Sequence, residues 1–146
     1  MSQITFNAPL SYTVGQIANL NPTDKVTRPV AEAVVFGQVV SDTDAGVVAF
    51  DTVPMGIVAR SLINPIARDG SVTIEANASK GAVVVRDGYV AVEVLTDVTR
   101  GEAAFVGVDG IAGTDAGDFS AYVEVAGIKF ESDASAGDIV LVRVKL

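Results

Sequence analysis

From Val30 onward the chain is a succession of short apolar runs broken by glycine, aspartate and proline. The runs are continuous or alternate with a period of two, which is the signature of strands rather than amphipathic helices. Valine and isoleucine supply most of them, and their β-branched side chains favour a pleated backbone. Glu32–Val40 reads as a strand with Gly37 as a bulge or close-approach point. Gly46–Phe50 and Met55–Arg60 are shorter candidates, and Ser71–Ala76 alternates cleanly. Ala82–Arg86, Asp87-Gly88 and Tyr89–Leu95 predict a β-hairpin, because Asp-Gly suits the two positive-φ positions of a type I′ turn. Glu102–Val108, Asp109-Gly110 and Ile111 predict a second one. Ala121–Phe130 and Asp138–Lys145 complete the series. Only Pro9–Leu20 and Pro29–Val34 have room for a helical turn, and neither carries convincing caps. The expected fold is all-β: a compact antiparallel β-sandwich or barrel, jelly-roll-like, with an extended N-terminal arm.

The arm is residues 1–28 and the single β domain is residues 29–146. The first segment has no sustained period, and it holds Pro9, Pro22 and three asparagines. Its apolar residues Ile4, Phe6, Leu10, Tyr12, Val14, Ile17 and Leu20 need an apolar partner, either the chain's own domain or a neighbouring subunit. Pro29 holds Arg28 extended, and that arginine has two readings: a salt bridge to a partner's carboxylate, or solvation. One pattern occurs twice. Thr96–Glu102 and Ser132–Asp138 both read [ST]-D-x-[ST]-x-G-[ED] before an apolar run. This is turn chemistry at two strand entries, with hydroxyl and carboxylate bonding nearby backbone and glycine taking a positive φ.

Composition narrows function by exclusion. A length of 146 residues suits one domain with a real core. There is no cysteine and no histidine, so disulfides, thiolates and the usual Ser–His and Cys–His machinery are ruled out. Asp42–Gly46 fails the calcium-loop pattern, since Val47 and Val53 stand where glycine and glutamate are needed. Asp109, Asp115 and Asp118 lie among glycines, where aspartate is the expected turn residue. Ser79-Lys80 are adjacent and would point to opposite faces of a strand. No catalytic, cofactor-binding or metal site is therefore assigned. A formal net charge of -8 disfavours nucleic acid and anionic membranes. No apolar run approaches a transmembrane span, and the first ten residues lack the basic and apolar regions of a signal peptide. A mean hydropathy of +0.44 without such a span suggests apolar surface buried against something else, although a dense β core also accounts for it.

Several segments occur in a familiar order. An asparagine- and glycine-containing start leads into RPVAE (Arg28–Glu32) and AVVFGQVV (Ala33–Val40). PMGIVAR (Pro54–Arg60) and VVVRDGYVAVEV (Val83–Val94) follow, then RGEAAFV (Arg100–Val106) and SAGDIVLVRV (Ser135–Val144). In this order, from about residue 15 to the end, the chain resembles the structural cement, or capsid decoration, proteins of tailed bacteriophages. The resemblance implies a non-enzymatic virion protein, made in the bacterial host cytoplasm. Such a protein sits on the outer capsid surface and cements neighbouring major capsid subunits against internal pressure. The implied partners are the major capsid protein and copies of itself, as dimer or trimer. The arm residues and Arg28 are the expected contacts. The alternative is a phage head or tail appendage, a host-surface or carbohydrate-binding β module. Against it, aromatic residues make up only 6% of the chain, and Tyr12, Tyr89 and Tyr122 alone offer amphipathic rings.

Overall fold

A computed structural model of the chain describes residues 13–18, 23–51, 53–60, 73–76, 81–113 and 122–146. Among them are eleven strands and no helix. In chain order they are β1 (Asp24–Arg28), β2 (Val34–Val35), β3 (Val39–Thr43), β4 (Gly46–Ala49), β5 (Gly56–Ala59) and β6 (Thr73–Ile74). β7 (Ala82–Glu93), β8 (Ala103–Gly107), β9 (Gly110–Ala112), β10 (Val123–Phe130) and β11 (Ile139–Lys145) follow. The expected all-β antiparallel class holds. Its form is one sheet in the order β4-β3-β5-β7-β11-β10-β8-β9, curled into a half-barrel, with β1 also on β7 and a small β2-β6 pair beside it.

β7 is the spine of the sheet. Val84 pairs with Val26 of β1 on one edge and with Val58 of β5 on the other. Farther along, Asp87 to Glu93 pair in unbroken register with Lys145 to Ile139 of β11. The Asp87-Gly88 hairpin expected from the sequence is therefore not formed, and both residues lie inside this twelve-residue strand. The cause is tertiary. Folding back at Asp87 would forfeit the β11 ladder running through the dipeptide, and those long-range bonds override a local turn preference. Gly88 serves instead for close approach, since a Cβ there would lie 3.0 Å from Thr23 Cγ2.

Gly37 does more than bulge a strand. With φ +82 it turns the chain between β2 and β3, and Gln38 N–H donates to Val35 C=O at 3.2 Å. β3 and β4 form a hairpin across Asp44-Ala45. β8 and β9 form the expected second hairpin, but its tip is Val108-Asp109 rather than Asp109-Gly110, because Gly107 pairs with Gly110 across it.

Each end of the main strand path carries one bridge. On β4, Val47 bridges Val30, with its N–H donating to Pro29 C=O at 2.8 Å. On β9, Ile111 bridges Val94, and its C=O accepts from Leu95 N–H at 2.9 Å. The curled sheet holds two apolar clusters. One gathers Val30, Val34, Phe36, Val40, Val47, Val58, Ile74, Ala82 and Val84. The larger one includes Ile57, Val85, Val90, Val92, Val106, Ile111, Ile128, Phe130 and Val142. β7 contributes side chains to both.

The duplicated turns meet each other. Val98 and Ala134 form an antiparallel bridge through N–H···O bonds of 2.9 and 3.1 Å. Asp97 Oδ1 accepts from Ala136 N–H at 2.9 Å, and Asp133 Oδ1 accepts from Arg100 N–H at 2.8 Å. Gly101 and Gly137 take φ of 85 and 88, and their N–H groups bond Phe130 and Val94 C=O respectively. Each of these bonds of one turn thus has its counterpart in the other, an internal twofold relation between the ends of β7 and β10.

Candidate docking surface

The described part of the arm is tied to the domain. Gly15 N–H donates to Ala91 C=O at 2.7 Å, Ala91 N–H to Gln16 C=O at 2.9 Å, and Ala18 N–H to Tyr89 C=O at 3.0 Å. Ile17 bridges Val90 and packs on the larger core. Arg60, just past β5, holds the same segment from its other side. Its backbone N–H donates to Gly15 C=O at 2.8 Å and its Nε to Val14 C=O. The guanidinium stacks 5.1 Å from the Phe36 ring centroid, a cation–π arrangement. Burial lowers the Arg60 pKa from its usual value.

Of the expected contact residues, Ile4, Phe6, Leu10, Tyr12 and Leu20 lie outside the described residues. Ile17 meets the chain's own core. Arg28 lies on β1, within the segment expected to be arm. Its Nη2 and Nε reach Asp42 Oδ1 at 2.9 and 3.2 Å. Both partners are over a third exposed, so the pair contributes about 0–1 kcal/mol. Asp42, considered above for calcium, is occupied in this way. Among the described residues no acidic cluster suited to a metal gathers. Asp115, Asp118, Ser79 and Lys80 lie outside the described residues.

Val14 reaches a different environment. It lines a groove of about 310 Å³ together with Val35, Phe36, Gly37, Leu95, Val108 and Ile111. Gly37 lets Val14 lie flush in the wall, because a Cβ there would stand 2.4 Å from Val14 Cγ1. The polar lining is Gln38, Glu93 and Asp109, with no lysine or arginine among the described lining residues. Val108 is 62% exposed and Val35 37%. Ile139, 41% exposed, stands opposite Glu93 on the neighbouring strand. Three of the six large apolar residues exposed among the described ones therefore lie at or beside this groove. Tyr122 props the hairpin from behind: its ring fills the space a Gly107 Cβ would take. Burial raises the Tyr122 pKa from its usual value, and the nearby Asp109 charge adds to the rise.

The sequence reading passed over Val35, Glu93 and Val108. Val108 carried no signal: the sequence puts it at a strand end before an Asp-Gly turn, and only the Gly107–Gly110 pairing places it at the tip.

An apolar groove with exposed valines has the character of an interaction surface. The family model described as "Structural cement protein (E217 gp24/Pam3 gp6)" matches residues 2–145. The chain belongs to the phage structural cement protein family. A chain from the solved structure titled "The capsid of Myoviridae Phage XM1" is similar in fold, with a TM-score of 0.64 at 16% identity over 98% of each chain. No curated protein sequence matches. This cement protein is thus a virion structural protein.

Proposed function

We propose that this cement protein binds the outer surface of an assembled phage capsid and bridges neighbouring major capsid subunits, opposing the pressure of packaged DNA. The observation that carries this reading is the family match over nearly the whole chain. The physical basis is linkage: a protein that binds the assembled shell better than separated subunits stabilises the shell by that difference. The N-terminal arm contributes to the contact. Val14, a described residue of the arm, lines the groove. Residues 15–18 and 24–28 are bonded into the domain, and the arm's share of the shell contact is assigned to residues 1–12. The protein carries out no catalysis. Copies associate as dimer or trimer on the shell, and neither nucleic acid nor membrane is a partner.

The test is co-sedimentation with expanded shells of the cognate phage assembled without the protein, followed by melting of those shells. Saturable binding with a raised shell melting temperature is expected. A variant lacking residues 1–12 should keep its β circular dichroism and bind more weakly. Absence of binding by the full chain at micromolar concentration would overturn the reading and favour a head or tail appendage.

A further inference from the structure

We propose that the groove between Val35 and the Val108-Asp109 hairpin tip seats an extended segment of a major capsid subunit carrying a branched apolar side chain next to a lysine or arginine. This rests on the capsid-binding reading above and names the chemistry of the contact. Val108 breaks a local rule without compensation inside the chain. A valine at a two-residue hairpin tip is a poor turn former, and here it stays 62% exposed. Residues that violate local preference without a folded-state gain mark functional positions. Val35, Leu95 and Ile111 line the same groove. Water in such a trough is displaced favourably by an apolar side chain.

Charge selects among apolar occupants. Glu93 and Asp109 are both exposed lining residues, and neither forms an ion pair with a described residue. Two carboxylates with no cation in the lining favour an occupant that brings one.

The absence of cysteine makes the test direct. A Val108→Cys variant labelled with a short photo-crosslinker is bound to shells, illuminated, digested and analysed by mass spectrometry. The expected adduct is on a capsid-subunit peptide containing an apolar residue beside lysine or arginine. An adduct on a second copy of this chain, or on its own residues 1–12, would overturn the proposal. In parallel, Val108→Asp and Asp109→Lys should each weaken shell binding about tenfold or more, with melting of the free protein unchanged. Unmodified protein that binds shells, with both variants binding equally well, overturns this inference alone. Unmodified protein that fails to bind overturns the capsid-binding reading and this inference with it.

Discussion

Asp97 and Asp133 carry the clearest single-residue role. Each carboxylate accepts a backbone N–H from the other's turn, at 2.9 and 2.8 Å. The turn chemistry was legible in the sequence, since [ST]-D-x-[ST]-x-G-[ED] announces glycine turns. That the two turns clasp each other was not legible, because the bonds span 39 and 33 residues. The constant offset between the motifs was the available hint, as a repeated unit that pairs with itself produces such symmetry. Replacing either aspartate with alanine removes one charge-assisted bond and leaves a solvent-accessible N–H. Each change should cost about 1–2 kcal/mol. Urea titration should show a lower midpoint at unchanged m-value. Because both turns share the Val98–Ala134 bridge, the double variant should depart from additivity. Strict additivity would mean that the clasp is two independent turns.

Among the elements, β7 decides how the chain folds, and it is where local sequence misleads most. The flanking apolar runs Ala82–Val85 and Tyr89–Val92 look like two arms of a hairpin, and Asp87-Gly88 looks like its tip. Nothing within the segment reveals that β11 pairs straight across the dipeptide, from Lys145↔Asp87 to Ile139↔Glu93. The strands at 46–49, 56–59, 123–130 and 139–145 were readable from their valine and isoleucine runs. β1 was not, because DKVTR is polar on most positions and gains its place only by pairing with β7. The two arrangements respond oppositely to an insertion. An extra glycine after Gly88 would lengthen a hairpin loop harmlessly. In a continuous strand it shifts every following side chain to the other face, turning Val90 and Val92 out of the core. Soluble, folded protein is therefore expected when the glycine is inserted between Asp44 and Ala45, the tip of the β3–β4 hairpin. No folded protein is expected from the insertion after Gly88. Native circular dichroism and melting for the latter would contradict the strand.

At the scale of the whole molecule, a curled sheet with two apolar clusters raises the question of whether it behaves as one unit or two. β7 argues for one. Its Ala82 and Val84 sit in the cluster with Val40 and Val47, while its Val85, Val90 and Val92 sit in the cluster with Val142 and Phe130. Loss of either cluster releases one part of the strand and, with it, the ladder that orders the other. The N-terminal segment reinforces this, since residues 15–18 are held by Ala91 and Tyr89 on one side and by Arg60 on the other. Unfolding should therefore be a single transition whose calorimetric and van't Hoff enthalpies agree. Val40→Ala and Val142→Ala, one in each cluster and both fully buried, should each cost about 2 kcal/mol. For a chain of this size each should lower the same melting temperature by about 4–8 °C. A split melt in which Val40→Ala moves one step and Val142→Ala the other would show two independently stable units. A single transition suits the bridging role proposed above, because a load on one part of the sheet is then resisted by both clusters through β7.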